Sequence, residues 1–280
     1  MRTLRDDEIA QFERDGVVVL RQVIPPDWLE RMAAPLEAEL RAVRSADLSE
    51  MARAIEARGG DTLVEGDAPA QGGFVAGTDH WRHDADFRAF ALESPLAAAA
   101  SALLRSRAVF LYEDSLLVKE PGTAEHTAFH QDMGYFHVQG EQVCTTWCPL
   151  DRVTPESGAL RYVVGSHRDG RLYKPNFFVS NEEVPGTEGE SVPDIAAGDF
   201  EVVSFDLEPG DVAVHHARTV HGAFPNLSTD RRRAISVRYC GDDARFALRP
   251  GAPTKPHHAE LREGDPLGGE AAPRAALARA

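Results

Sequence analysis

His130 and Asp132 stand two apart in the stretch Ala128-Phe129-His130-Gln131-Asp132-Met133, His221 lies far downstream, and Arg232 follows it shortly. Two imidazoles and one carboxylate form the facial triad that holds a non-haem Fe(II) while leaving coordination positions open. A guanidinium nearby can clamp the carboxylate of an acid co-substrate in a bidentate fork. In an extended segment residues i and i+2 point to one face, so a single metal can meet both His130 and Asp132. His221 must then arrive from a different strand, carried there by the fold. His-x-Asp alone is a weak signal, because such tripeptides recur by chance. The constellation proposes a metal, a second reactant and a reaction class, and is silent on what is oxidised.

The elements that must position these residues divide the chain in two. The first hundred residues read mainly as helix: Thr3 caps a short helix that Asp15-Gly16 ends, and Val17 to Leu20 is a buried strand. Pro25-Pro26-Asp27 opens a helix from Trp28 to about Val43, with Leu29, Met32, Leu36 and Leu40 at helical spacing. Residues 58–79 read as a glycine-rich loop over a pocket mouth, and Phe87 to Leu104 as helix with Pro95 opening its second part. From about residue 108 short apolar runs alternate with Pro, Gly and Ser: 109–118, 143–150, 160–164, 201–205, 211–215 and 234–239. That texture predicts a β sandwich or barrel. Residues 181–199 read as an acidic insertion between strands, and the tail from Pro250 as irregular. The expectation is one domain over 1–280: a helical part to about 105, a β core over about 108–240, and a tail over 250–280.

Bulk properties exclude several function classes. With 30 basic against 45 acidic residues the formal charge is −15. That disfavours nucleic acid, which needs a basic surface, and anionic membranes. Cys144, Cys148 and Cys240 are too few and too poorly spaced for a disulfide framework or zinc knuckle, and read as buried apolar residues of a reducing compartment. The charged N-terminus lacks a signal-peptide pattern, and no window reaches bilayer-spanning length. A soluble, cytoplasmic monomer or small homo-oligomer is expected.

Four ordered stretches carry a family resemblance. Phe129-His130-Gln131-Asp132-Met133-Gly134-Tyr135-Phe136 comes first, then Val153-Thr154-Pro155-Glu156-Ser157-Gly158-Ala159-Leu160 leading to Gly165-Ser166-His167. Glu208-Pro209-Gly210-Asp211-Val212 precedes His221-Gly222, and Arg231-Arg232-Arg233-Ala234-Ile235-Ser236 closes the series. Together, over at least residues 108–240, they resemble the phytanoyl-CoA dioxygenase family of Fe(II)/2-oxoglutarate-dependent oxygenases. The resemblance implies a mainly β fold, a double-stranded β-helix (jelly-roll, cupin-like) core with flanking N-terminal helices. It implies His130, Asp132 and His221 as iron ligands, with Fe(II), 2-oxoglutarate and O2 as the reacting set. Arg232, on the strand face of Ala234 and Ser236, is the implied anchor for 2-oxoglutarate, Ser236 an added hydrogen bond, and Trp147 an aromatic lining of the co-substrate pocket. The intact Asp132 carboxylate favours hydroxylation, or another oxidation, over halogenation, because related halogenases keep a small residue there.

Substrate contacts are less determined. On the run Tyr112 to Lys119, alternation places Glu113, Ser115, Leu117 and Lys119 on one face and Tyr112, Asp114, Leu116 and Val118 on the other. The more polar face is expected to look inward. Glu113 there needs a cation or hydrogen-bond donors, from an amine or polyhydroxylated substrate or from a structural partner such as Arg161. His126 and His137 flank the first motif as pocket candidates. His215 and His216 read as core or supporting residues, His167 as a loop tie, and His80, His83, His257 and His258 as surface or lid residues. The expected activity is hydroxylation of an unactivated C–H of a small metabolite, releasing succinate and CO2. Desaturation, epimerisation or ring closure at the same iron centre is the alternative, and a metal-binding cupin without turnover the alternative of another class. A free metabolite fits the acidic chain better than an anionic acyl-CoA, although Arg168, Arg171 and Lys174 form one local basic patch.

Overall fold

The structure is a computed structural model and describes residues 3–42, 45–66 and 72–276. Val43, where the second helix was expected to end, and residues 67–71 of the expected loop lie outside the described residues, as do 277–280 of the tail.

Five helices occur among the described residues: α1 (Asp6–Asp15), α2 (Pro26–Arg41), α3 (Leu48–Ala57), α4 (Ala85–Glu93) and α5 (Pro95–Leu103). Thr3 does not cap α1. Instead the Arg5 amide donates to Glu8 Oε2 at 2.8 Å, the carboxylate half of a capping box. Gly16 ends α1 in the left-handed conformation at φ 75°, which a glycine adopts without a Cβ clash. Ser94 ends α4 and caps α5, whose first position is Pro95.

The strands are β1 (Val17–Leu20), β2 (Ala46–Asp47), β3 (Phe74–Thr78), β4 (Phe110–Lys119), β5 (Thr127–His130), β6 (Val138–Gln139) and β7 (Val143–Pro149). They continue with β8 (Leu160–Val163), β9 (Val202–Ser204), β10 (Val212–His216), β11 (His221–Ala223), β12 (Arg232–Cys240) and β13 (Arg245–Phe246). A seven-stranded sheet runs β1-β10-β7-β12-β4-β3-β2, a four-stranded sheet β5-β11-β8-β9, and β6 pairs with β13. The ladders are antiparallel. The strand texture predicted a sandwich or barrel, and this is the jelly-roll core that the family resemblance implied. β3 is a correction to the expected loop: Phe74–Thr78 pairs along β4, with Phe74 opposite Lys119 and Thr78 opposite Ser115.

Alternation on the large sheet sorts its two faces. Ile235, Val237 and Tyr239 of β12, Cys144 and Cys148 of β7, and Leu116 and Val118 of β4 pack against Met32, Leu36, Phe87, Phe90 and Leu96 of the helices. The three cysteines are buried and unbridged, as small core residues. One expected alternation fails. A bulge between Arg238 and Tyr239 leaves Tyr112 unpaired on β4. Tyr112 therefore packs against Phe136, with ring centroids 5.0 Å apart, rather than sharing the helix-facing side with Asp114. The tail folds back on the core: the Leu111 amide donates to Pro273 O and the Ala275 amide to Val109 O, both at 2.9 Å. Among the described residues no helix is long and apolar enough to cross a membrane.

Candidate active site

The inner faces of the two main sheets enclose a cavity of about 530 Å³ that contains His130, Asp132 and His221. His130 is the last residue of β5 and His221 the first of β11, and the ladder pairs these two residues directly. Asp132 does not sit in a strand. It opens a short 3-10 turn, Asp132–Gly134, after an extended Gln131, and its carboxylate still reaches the same point. Asp132 Oδ1 lies 3.9 Å from both His130 Nε2 and His221 Nε2, and the donor atoms of the triad lie within 4.8 Å of one another. Gly222 beside His221 is required by packing, since a Cβ there would stand 2.6 Å from Thr127 O.

Hydrogen bonds fix which atom each ligand presents. His130 Nδ1 is 2.8 Å from Ala128 O and His221 Nδ1 is 2.9 Å from Thr219 O. A carbonyl can only accept, so both Nδ1 atoms carry the proton and both Nε2 atoms keep a free lone pair toward the cavity. Burial pushes His130 down to about 3, helped by the charge of His221. Burial likewise pushes His221 down to about 4, helped by His215. Both are neutral at pH 7, the form that binds a metal. Burial would raise the Asp132 carboxyl, but the hydrogen bond from His215 and the charges of His221 and Arg238 outweigh it and hold the group well below its ordinary value. His215 Nε2 lies 3.3 Å from Asp132 Oδ2, which also accepts from Thr145 Oγ1. One carboxylate oxygen is thereby occupied and the other, Oδ1, faces the imidazoles.

Three consecutive arginines are separated by their partners. Arg231 Nη1 lies 2.8 Å from Glu37 and Nη2 2.7 Å from Glu120, while Arg233 Nη2 lies 2.7 Å from Asp151. Arg232 points inward, is 2 % exposed, and among the described residues makes one long hydrogen bond, to Leu117 O at 3.4 Å. Its guanidinium lies 5.5 Å from the Trp147 ring centroid. Arg232 Nε, Ser236 Oγ and Trp147 Nε1 are all buried without a hydrogen-bond partner among the described residues. Burial lowers Arg232 to about 10, with Asp151 opposing, so it remains a cation at neutral pH. An unpaired buried cation beside orphaned donors fits an incoming carboxylate.

The inward face of β4 is the polar one, as expected: Glu113, Ser115 and Leu117 line the cavity. Glu113 is not paired with Arg161. It meets Lys255 Nζ, and Arg238 Nη1 lies 3.5 Å away. Lys255 also reaches Asp79 Oδ2 at 2.8 Å, which ties the Pro253–Pro256 segment across the cavity mouth. Ser115 accepts from Arg238. His137 and Arg161 are not on the cavity wall. His137 Nε2 donates to Pro253 O at 3.0 Å and its Nδ1 accepts from the Arg249 amide at 2.9 Å, so both nitrogens serve the backbone. Arg161 stands on the outer face of β8, because Leu160 and Tyr162 take the inner one.

The remaining histidines divide between the expected and the corrected. His126 pairs with Glu65 at 2.7 Å, His216 with Glu141 O at 2.7 Å and His167 with Glu13 O at 3.2 Å. His80, His257 and His258 are buried rather than superficial, and His80 Nδ1 lies 2.8 Å from Glu39. Sequence reasoning missed Thr145, Arg238 and Lys255. Thr145 was readable, since it shares a strand face with Trp147. Lys255 was not, because the tail has no periodicity to place it.

The fold and this site define a jelly-roll protein with a buried two-histidine, one-carboxylate cluster beside a buried arginine whose Nε has no partner among the described residues. The chain belongs to the phytanoyl-CoA dioxygenase family, whose model matches residues 12–234, and which consists of Fe(II)/2-oxoglutarate oxygenases. It is 26% identical over 166 residues to an Arabidopsis thaliana phytanoyl-CoA dioxygenase, covering 59% of this chain and 56% of that protein. The chain thus spans little more than half the length of that relative. It is 25% identical over 225 residues to the 1-deoxypentalenic acid 11-beta-hydroxylase of Streptomyces exfoliatus, covering 78% of this chain and 74% of that one. Among solved structures it resembles the epimerase SnoN of nogalamycin biosynthesis, in complex with Fe3+, alpha ketoglutarate and nogalamycin RO. The TM-score is 0.70 at 24% identity, over 96% of this chain and 97% of that one.

Proposed function

We propose that the protein is an Fe(II)- and 2-oxoglutarate-dependent dioxygenase that hydroxylates an unactivated C–H of a small metabolite. One observation carries the reading: a single cavity between the sheets holds both a triad with its donor atoms preset and an arginine that has no carboxylate partner among the described residues. His130 Nε2, His221 Nε2 and Asp132 Oδ1 would hold the iron, and Arg232 with Ser236 would hold the distal carboxylate of 2-oxoglutarate. When bound, iron and 2-oxoglutarate supply the oxidising chemistry, in which O2 is consumed as 2-oxoglutarate becomes succinate and CO2.

The chain's own part is position and exclusion of water. Thr145 and His215 hold Asp132 in one orientation through its outer oxygen. Tyr135 and Phe178 pack against the His130 ring, with centroids 5.7 and 4.9 Å from it, and limit its rotation. Leu48, Met51, Phe74, Leu117 and Phe178 give the cavity largely apolar walls, which suit a hydrocarbon-rich body. A free metabolite fits better than a CoA thioester. Of the local basic patch, Lys174 is 2.8 Å from Glu183 and Arg171 is 3.7 Å from Glu190, so little positive charge is left for a polyanion.

The test is succinate release from 2-oxoglutarate by iron-loaded protein over a panel of apolar metabolites, with mass spectrometry of the product. A gain of one oxygen supports hydroxylation, and a loss of two hydrogens or an isomer moves the outcome to desaturation or epimerisation. Asp132→Ala is expected to abolish both iron retention and succinate release. No iron-dependent succinate from folded, iron-loaded protein would favour a binding protein without turnover.

A further inference from the structure

A second cavity, of about 570 Å³, lies on the outer face of the small sheet, between β5 and β8 on one side and the 174–196 segment on the other. Arg161 projects into it. Across the ladder Arg161 pairs with Gly222. Its guanidinium lies between two rings, 4.7 Å from the ring centroid of Phe129 and 4.7 Å from that of Phe224. Two rings fix its plane, so the fork of donors is oriented before any ligand arrives.

Nothing among the described residues uses that fork. Arg161 forms no ion pair or hydrogen bond there, and its Nε is buried without a partner. The neighbouring charges are already committed. His126 holds Glu65 at 2.7 Å, Lys174 holds Glu183 at 2.8 Å, and Asp194 accepts from the Ala196 and Ala197 amides at 3.0 and 3.2 Å. Burial weakens the cationic form of Arg161, with Glu65 opposing, so a counter-anion in the cavity would relieve an existing penalty.

The geometry points to a second ligand site in this outer cavity, at which Arg161 binds an oxyanion, a carboxylate or phosphate group, through its bidentate fork. The inner residues of the same strands, Thr127, Leu160 and Ala223, line the iron cavity, so the two sites lie back to back across one layer of sheet. The assignment is independent of what the iron cavity does.

The test uses the full chain loaded with Fe(II) and saturating 2-oxoglutarate without oxygen, which fills the inner anion site. Inorganic phosphate and, separately, acetate are titrated by calorimetry into the wild type, Arg161→Met, Arg161→Lys and the exposed control Arg168→Met. Saturable binding of one anion per chain is expected for at least one probe, and the tighter probe identifies the group. Arg161→Met, which keeps an apolar arm between the rings, should weaken binding by at least about tenfold, as expected for lost charge-assisted bonds. Arg161→Lys should fall in between, having the charge without the fork, and it serves alone if the methionine variant does not fold. Arg168→Met should bind as the wild type does. Equal affinity in the wild type and the Arg161 variants, or no saturable binding of either probe to the wild type, would overturn the site and leave Arg161 a packing element.

Discussion

Replacing Arg232 by methionine separates a binding arginine from a structural one. Arg232 is 2 % exposed and, among the described residues, has one long hydrogen bond at 3.4 Å and leaves Nε without a partner. Removing it therefore breaks almost nothing in the folded chain, and methionine fills much of the same volume beside Trp147. An unpaired buried charge destabilises, so the Arg232→Met protein without 2-oxoglutarate should be as stable as the wild type or gain about 1–2 kcal/mol. The loss should appear on binding. A bidentate carboxylate contact is two charge-assisted hydrogen bonds of about 1.5–3 kcal/mol each. Their combined loss, about 3–6 kcal/mol, weakens 2-oxoglutarate by about 10²- to 10⁴-fold. The lower end is expected, because Lys119 stays nearby, although its ammonium already donates to Glu125 O at 2.7 Å and Phe224 O at 2.8 Å. Denaturant unfolding of the metal-free protein and titration of 2-oxoglutarate into the oxygen-free, iron-loaded protein give the two numbers. Unchanged 2-oxoglutarate affinity together with lost stability would refute the reasoning and make Arg232 a core residue.

Three further outcomes follow from individual contacts. Thr145→Val removes a donor to Asp132 Oδ2 while leaving His215 in place; iron affinity, measured against a competing chelator, should fall by about tenfold or somewhat more, with little change in unfolding free energy. Lys255→Met strips the shared cation from Glu113 and Asp79. Unfolding free energy should drop by about 3 kcal/mol, and adding Glu113→Gln should restore part of it, since the penalty is two carboxylates that have lost their shared cation. Asp114 is fully buried, and burial together with the like charge of Asp79 raises its carboxyl to about 8. In the folded chain it keeps its proton where the unfolded chain has lost it, so its contribution to stability falls as pH rises from about 4 to about 8. Asp114→Asn should flatten that slope in pH-dependent unfolding, and an unchanged slope would count against a raised Asp114.

The parts of the site legible in the chain are those where local pattern and chemistry coincide. The inward face of β4 followed from strict alternation between Glu113 and Leu117, and the helix-facing residues of α2 from their spacing at Met32 and Leu36. Alternation misled where a bulge breaks it, which is why Tyr112 turned out on the side of Phe136. It also misled at Asp132, where a 3-10 turn rather than a strand delivers the carboxylate. Glu113 was expected to meet a cation or hydrogen-bond donors, with Arg161 as the named structural partner; the structure places Lys255 there, from a tail whose course is set by its docking onto the core. His137 looked like a pocket residue because it follows the motif, yet two backbone partners hold it elsewhere.

By itself the sequence determined the candidate donor set, the strand-rich core and a cluster of three arginines from which an anchor could come. These depend on residue type, on short-range periodicity and on four motifs in fixed order. The tertiary structure alone decided three things. Antiparallel pairing of β5 with β11 sets His221 opposite His130 across some ninety residues of chain, a register that no local pattern encodes. The carbonyls of Ala128 and Thr219 select the Nε2 lone pairs that face the cavity. And among three adjacent arginines, Glu37, Glu120 and Asp151 engage the outer two, so that Arg232 keeps its charge free. Each is a matter of which groups distant in sequence come within hydrogen-bond reach, and only a packed fold fixes that.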